Sequence, residues 1–288
     1  MPSQVTVDWK IRKRRREMLA QLFAHLVLIA GAVIFAFPFV WLVSTSLKPD
    51  DQLFLFPPTF IPRPVRWDNY TRMLQYLPFF QFLKNTLYVT VLNVIGTLLS
   101  CSLVAYGFAR LRFPGRDILF LVLLSTMMLP PQVTMVPVYL IFKRLGWVDT
   151  FKPLYINSFF GIPFFIFLLR QFMTTIPYEI EDSAKIDGCG YLRLYGTIIL
   201  PLIKPALATV AIFRAMNSWN DFLTPLIYLN SVNKMTLALG LRLFQNMYGG
   251  EWSLMMAAST LMTLPIIVLF FFSQRQFIQG ITLTGLKG

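Results

Sequence analysis

One histidine, two cysteines and 13 acidic residues are thin material for chemistry in a chain of 288 residues. The histidine, His25, falls in an apolar run. A lone histidine there is more often a satisfied packing residue than a proton relay, and without further ligands it makes no metal site. Cys101 lies in an apolar run and Cys189 in a polar loop, so no disulfide framework is expected. The phosphate-cradling pattern G-x-x-x-x-G-K-[ST] is missing, which excludes ATP hydrolysis by this chain. H-E-x-x-H and G-x-S-x-G are missing too. No catalytic residue and no bound cofactor are expected, and energy for any work must come from a partner.

Charge is scarce as well. Charged residues make up 14% of the chain against 56% hydrophobic, and the mean hydropathy is +0.61, far too oily for a soluble globule of this length. Apolar runs long enough for a bilayer core alternate with charged or Pro-rich breaks, which favours spanning helices over a barrel. The reading is an all-α membrane protein with six transmembrane helices, at 22–46, 86–108, 118–142, 153–169, 205–229 and 254–272. The first run is too long for a cleaved secretory segment. With the N-terminus inside, 15 of the 26 Lys and Arg fall in cytoplasmic segments and 10 in outer ones, placing both termini in the cytoplasm. The basic run at 10–16 is a topology anchor against anionic lipid. It lacks the interleaved aromatics of a nucleic-acid binder, so no nucleic-acid partner is expected.

Residues 173–204 form a polar island. Thr175 and Pro177 make a helix start, and Glu179, Glu181 and Asp182 place negative charge where the helix dipole favours it. Gly188 supplies a left-handed stop, and Tyr191 to Leu200 resume as a second short helix until Pro201. Glu181 and Lys185 stand four apart in the favourable order, while Ile180, Ser183, Ala184 and Asp187 share another, mostly small face that lets a partner approach.

Two spans carry polar stripes. Thr86, Thr90, Asn93, Thr97 and Ser100 lie at helical spacing and read as glue between helices. Pro130, Pro131 and Pro137 interrupt the third span, which is expected to bend or move. In the fifth span Arg214, Asn217, Ser218 and Asp221 share one face, with Asn220 beside them. Burying Arg or Asp near a helix centre costs about 2.5–3.5 kcal/mol, so this face points into the bundle or an aqueous cavity. Either Arg214 and Asp221 neutralise each other across about 10.5 Å, directly or through water, or the stripe lines a pathway. In the second case Arg214 favours an acidic cargo.

Asp182, Ser183, Ala184, Asp187, Gly188, Ile198, Leu200 and Pro201 fall at the spacing of the cytoplasmic loop of binding-protein-dependent ABC importer permeases, written EAA, then G, then I-x-LP. Asp replaces the usual Glu at 182 and Ser the first Ala at 183. The Pro-rich run before Asn69 and Tyr70, the basic turn GFARLRFPGRD, the segment WNDFLTPLIYL and the Gly-rich tail are also similar to maltose-type carbohydrate permeases. The chain thus resembles the smaller six-span partner of that family. The resemblance implies a type I importer permease fold laid out as a basic cytoplasmic segment (1–21), a first span with a Pro-rich periplasmic loop (22–83), an importer transmembrane domain (84–278) and a cytoplasmic tail (279–288). It implies ATPase coupling through Glu181, Asp182, Ser183, Ala184, Asp187 and Gly188, and a translocation pathway at Arg214, Asn217, Ser218, Asn220 and Asp221. The implied partners are a second permease, two ATP-binding subunits that hold ATP and Mg, an extracytoplasmic solute-binding protein and a carbohydrate, all at the bacterial inner membrane. The rival expectation is a secondary transporter driven by an ion gradient through Arg214 and Asp221. Against it stands the lack of a recognisable internal repeat.

Overall fold

The computed structural model describes residues 3–245 and 250–285, with side chains described within 15–245 and 250–273. The last residues of the tail, 286–288, whose Gly-rich close was compared above, lie outside them. Helices account for all regular structure among the described residues. In chain order they are α1 Ser3–Ser46, α2 Asp68–Tyr76, α3 Phe79–Arg110, α4 Arg116–Ser125, α5 Pro131–Arg144, α6 Lys152–Tyr155 and α7 Pro163–Met173. They continue as α8 Glu179–Ile186, α9 Tyr191–Leu194, α10 Leu200–Leu202, α11 Lys204–Trp219, α12 Leu223–Tyr228, α13 Leu237–Gly240 and α14 Trp252–Gly285. Among the described residues four helical stretches are long and apolar enough to cross a membrane, or up to six by length and composition if each of two bent pairs is one span.

The bend expected at the prolines of the third span is present, whereas the fifth departs from the continuous helix expected of it. The third expected span breaks by 96° between Arg116–Met128 and Pro131–Arg144. Pro130 is extended and Pro131 opens α5 at its first turn. The first proline pushes Leu129 out of the helical region, and the second is at ease only where its missing N–H is not needed. The fifth expected span, 205–229, is likewise interrupted. Its helix α11 stops at Trp219 and α12 starts at Leu223, while a 77° bend at Ile203 separates α11 from the stretch Tyr191–Leu202. The fourth is split by Gly161, whose φ of +89° suits glycine, with Pro163 opening α7.

The chain divides into two compact units, Met1–Arg72 with Trp252–Thr260, and Met73–Glu251 with Leu261–Gly288. In the first, Asn69 Nδ2 donates to the carbonyls of Ser46 at 2.9 Å and Lys48 at 3.0 Å. Ser253 Oγ donates to Asp50 at 2.7 Å. Lys48 is buried with its ammonium 3.9 Å from the Trp41 ring centre, a cation–π contact that replaces part of the lost hydration.

The second unit is organised on α3, whose apolar positions bury one core with Leu169 and Met173 of α7 and with Leu194, Ile199, Ile203 and Val210 further on. A second cluster joins Val89 to Phe142, Leu154, Tyr228 and Leu239. The loop between α5 and α6 is knotted to the chain after α12 through Asp149. Its carboxylate accepts from the amides of Asn230 (3.0 Å) and Ser231 (2.9 Å), the Ser231 hydroxyl (2.6 Å) and Lys234 Nζ (2.9 Å). Asp149 holds a left-handed φ of +58° to do so.

Candidate functional site

The polar island folds as its sequence dictates: helix, glycine corner, helix. Glu179 rather than Thr175 or Pro177 begins α8, a shift of a few residues in which Pro177 stands outside the first turn. Its end is closed by two backbone bonds, Gly188 N–H to Lys185 at 3.0 Å and Cys189 N–H to Ala184 at 2.9 Å, with Gly188 at φ +81°. This is the Schellman arrangement, which satisfies the last free carbonyls. Asp182, Ser183, Asp187 and Gly188 are exposed and Ala184 is half-buried.

Glu181 faces the other way. Only 2% exposed, its carboxylate lies 2.9 Å from Arg110 Nε, the last residue of α3, whose side chain is wholly buried. Arg110 Nη2 also donates to the carbonyls of Met173 (2.6 Å) and Ile176 (2.7 Å), and its guanidinium carbon sits 4.6 Å from the Tyr178 ring centre. Lys185 therefore pairs with Asp182 at 3.2 Å and not with Glu181, because the body of the protein claims the Glu181 face. Burial pushes the Glu181 carboxyl above its ordinary value, with Arg110 pulling the other way.

The stripe on α3 bonds across helices. Thr86 Oγ1 accepts the Leu237 amide at 2.8 Å and Ser100 Oγ donates to the Ser158 carbonyl at 2.7 Å. Asn93 is the hub: Nδ2 donates to Ser218 Oγ at 2.9 Å and to the Leu154 carbonyl at 3.2 Å, and Oδ1 accepts from Ser158 Oγ and from Arg214 Nη2. Arg214 Nη2 donates to Ser158 Oγ as well, at 2.8 Å. Among the described residues Arg214 makes no direct ion pair with Asp221, and its direct partners are Asn93 and Ser158. Asp221 instead accepts the Thr224 amide at 3.1 Å and caps the turn into α12. The break after Trp219 carries Asp221 off the straight helix on which the i, i+7 spacing was reckoned.

The stripe is consequently divided. Arg214 and Ser218 are turned into the seam between α3, α6 and α11, while Asn217 and Asn220 are exposed and Asp221 is half-buried. Near the 96° break, a cavity of about 210 Å³ opens between α5, the segment after α6, and α12. The Gln132 and Asn157 side chains and Thr224 supply polar atoms over a floor that includes Met135, Pro153 and Tyr228. No group of three or more His, Cys, Asp or Glu side chains is placed to hold a metal ion among the described residues.

Residues 99–283 match the family described as the binding-protein-dependent transport system inner membrane component. Among relatives, the chain is 34% identical over 260 residues to an arabinooligosaccharides transport system permease protein of Halalkalibacterium halodurans, covering 89% of this chain and 93% of that one. It is 30% identical over 284 residues to a trehalose/maltose transport system permease protein of Thermococcus litoralis, covering 95% and 99%. It superposes with a TM-score of 0.79 and 23% identity on a chain of a bacterial ABC transporter involved in import of the acidic polysaccharide alginate, covering 91% of this chain and 97% of that one. The all-α architecture with a short helix-glycine-helix loop is that of a type I importer permease. This chain belongs to the binding-protein-dependent transport system inner membrane components, as a transport permease subunit integral to the membrane.

Sequence reasoning missed Arg110 and Ser158. Arg110 lies in the basic turn GFARLRFPGRD, and nothing in spacing pairs it with a residue 71 positions on. Ser158 carried no periodic signal, because it lies in the irregular stretch that splits the fourth span.

Proposed function

We propose that this chain forms half of the translocation pathway of an ATP-driven oligosaccharide importer. A second permease supplies the other half, two ATP-binding subunits carrying ATP and Mg dock on α8, and an extracytoplasmic solute-binding protein delivers cargo. The observation that carries the coupling role is α8 itself. One face, with Asp182, Ser183 and Asp187, is open to a partner, while Glu181 on the opposite face is tied into α3. Ala184 and Gly188 keep the approach low and the helix end sharp, and both termini lie on the same cytoplasmic side by the balance of positive charge.

The carbohydrate reading is supported by the relatives named for arabinooligosaccharides and for trehalose and maltose. The amide-lined cavity beside the α5 break supports it too, since neutral amides over an apolar floor suit hydroxyls and the C–H faces of a sugar ring. Asn217, Asn220 and Asp221 extend the pathway surface, whereas Arg214 and Ser218 hold the wall behind it. The Arg214 Nη2 donor is engaged by Asn93 and Ser158, which fixes the guanidinium in that wall.

Gentle extraction of the tagged chain tests the assembly: co-recovery of an ATPase and a second permease is expected. Oligosaccharide uptake by that complex in vesicles should need ATP and survive collapse of the proton gradient. Uptake that follows the gradient instead returns the chain to the ion-driven class.

A further inference from the structure

We propose that Arg110 is the positioning residue of the coupling loop, a joint with two settings through which rotation of α8 is passed to α3. The proposal rests on the reading of α8 as the coupling helix. Arg110 is the last residue of the 32-residue helix α3, the helix that also carries the Asn93 hub. Its guanidinium is the meeting point of three segments: the end of α3, the carbonyls of Met173 and Ile176 at the close of α7, and Glu181 of α8. Tyr178, just ahead of α8, lies against the same guanidinium and donates its hydroxyl to the Ala109 carbonyl at 3.4 Å. A displacement of α8 against α3 has to turn this joint.

The joint is unevenly filled. Nη2 makes two short bonds to carbonyls, but Nε meets the Glu181 carboxylate at 2.9 Å without an aligned hydrogen bond. Nη1 is buried with no partner at all. A guanidinium presents a planar fork suited to two parallel bonds with one carboxylate. Each such fork includes Nη2, so a turn of α8 that draws Nη2 off the Met173 and Ile176 carbonyls opens the fork of Nε and Nη2 to both Glu181 oxygens and defines the second setting. Two discrete arrangements of a buried ion pair are what a coupling element requires. A static cement would instead be fully bonded in one arrangement, as buried charge normally demands.

The test uses the whole complex, with both permeases and both ATPase subunits, in proteoliposomes, and reads transport per ATP hydrolysed. Arg110→Lys keeps the charge and loses the fork, and Glu181→Gln keeps the shape and loses the charge. In each, the complex is expected to assemble and transport per ATP to fall by roughly tenfold, the scale of a coupling between two sites. If Arg110→Lys does not assemble, Glu181→Gln decides. Unchanged transport per ATP overturns the proposal, as does hydrolysis and transport falling in step, or failure of both variants to assemble, each of which marks plain structural cement. Absence of ATP-dependent transport in the unaltered complex sinks the importer reading instead.

Discussion

Asn93 and Ser218 stand 125 positions apart in the chain, and their side chains meet at 2.9 Å inside the packed spans. The bond closes a network in which one amide serves Ser218, Ser158 and Arg214 together. Asn93→Leu preserves volume and removes the shared partner of two hydroxyls and a guanidinium, leaving them only the Arg214–Ser158 and Thr90–Ser218 bonds. An unsatisfied buried polar group costs about 1–3 kcal/mol, more where it is charged, so the thermal midpoint of the purified complex is expected to drop clearly. Asp221→Asn, which touches no member of the network, should leave it nearly unchanged. Equal losses in the two variants would restore the pairing of Arg214 with Asp221.

Gly188→Ala isolates the corner that closes α8, the helix proposed for coupling. A Cβ there meets nothing within 4 Å, yet φ is +81°, and an L side chain in the left-handed region costs roughly 1–2 kcal/mol. The cost falls on the end of α8 alone. The expected result is a normally assembled complex with weakened coupling of hydrolysis to uptake, and a collapse of coupling in Gly188→Pro. Wild-type coupling in both variants contradicts the role given to this corner.

Two glycines in the packed unit separate by what faces them. A Cβ on Gly240 collides with the Phe82 ring, and one on Gly96 comes within 2.7 Å of Phe159. Phe82 is 2% exposed and has nowhere to go, whereas Phe159 is 39% exposed and can swing aside. Overpacking costs typically about 1–3 kcal/mol, so Gly240→Ala should lower the melting temperature in detergent well beyond Gly96→Ala. The reverse order would refute this packing.

Acid and alkali act on opposite sides through Asp149 and Glu181. The Ser231 hydroxyl and amide, then Lys234, hold the Asp149 carboxyl well below the usual carboxylate range. A depressed value means stability that is present above the unfolded value and lost as pH falls through the folded one. Asp149→Asn, which tolerates the left-handed backbone, should therefore flatten the acid limb of the melting curve. Glu181 is raised by burial, so its contribution is complete below the ordinary glutamate value and fades as pH rises through the raised one. Glu181→Gln should remove that fading. Curves for either variant that run parallel to wild type across its window count against the assignment.

Much of this protein is legible in its sequence because the rules involved are local. Apolar length set the spans, since a bilayer core demands it. Gly188 and the acidic first turn set the helix-glycine-helix around α8, since caps and dipoles act within a few residues. The hydroxyl and amide stripe on α3 announced bonds between helices. What periodicity could not supply was where a helix breaks and which distant residue answers a buried charge. The Asp221 side of the Arg214 stripe was reckoned on a straight helix that in fact stops at Trp219, and the Glu181 to Lys185 pairing was reckoned on a helix without neighbours. Only tertiary packing decided that Glu181 turns to Arg110 and Arg214 to Asn93. A charge withdrawn from water must be met by whatever polar group the fold brings within reach, and that group need have no fixed spacing in the chain.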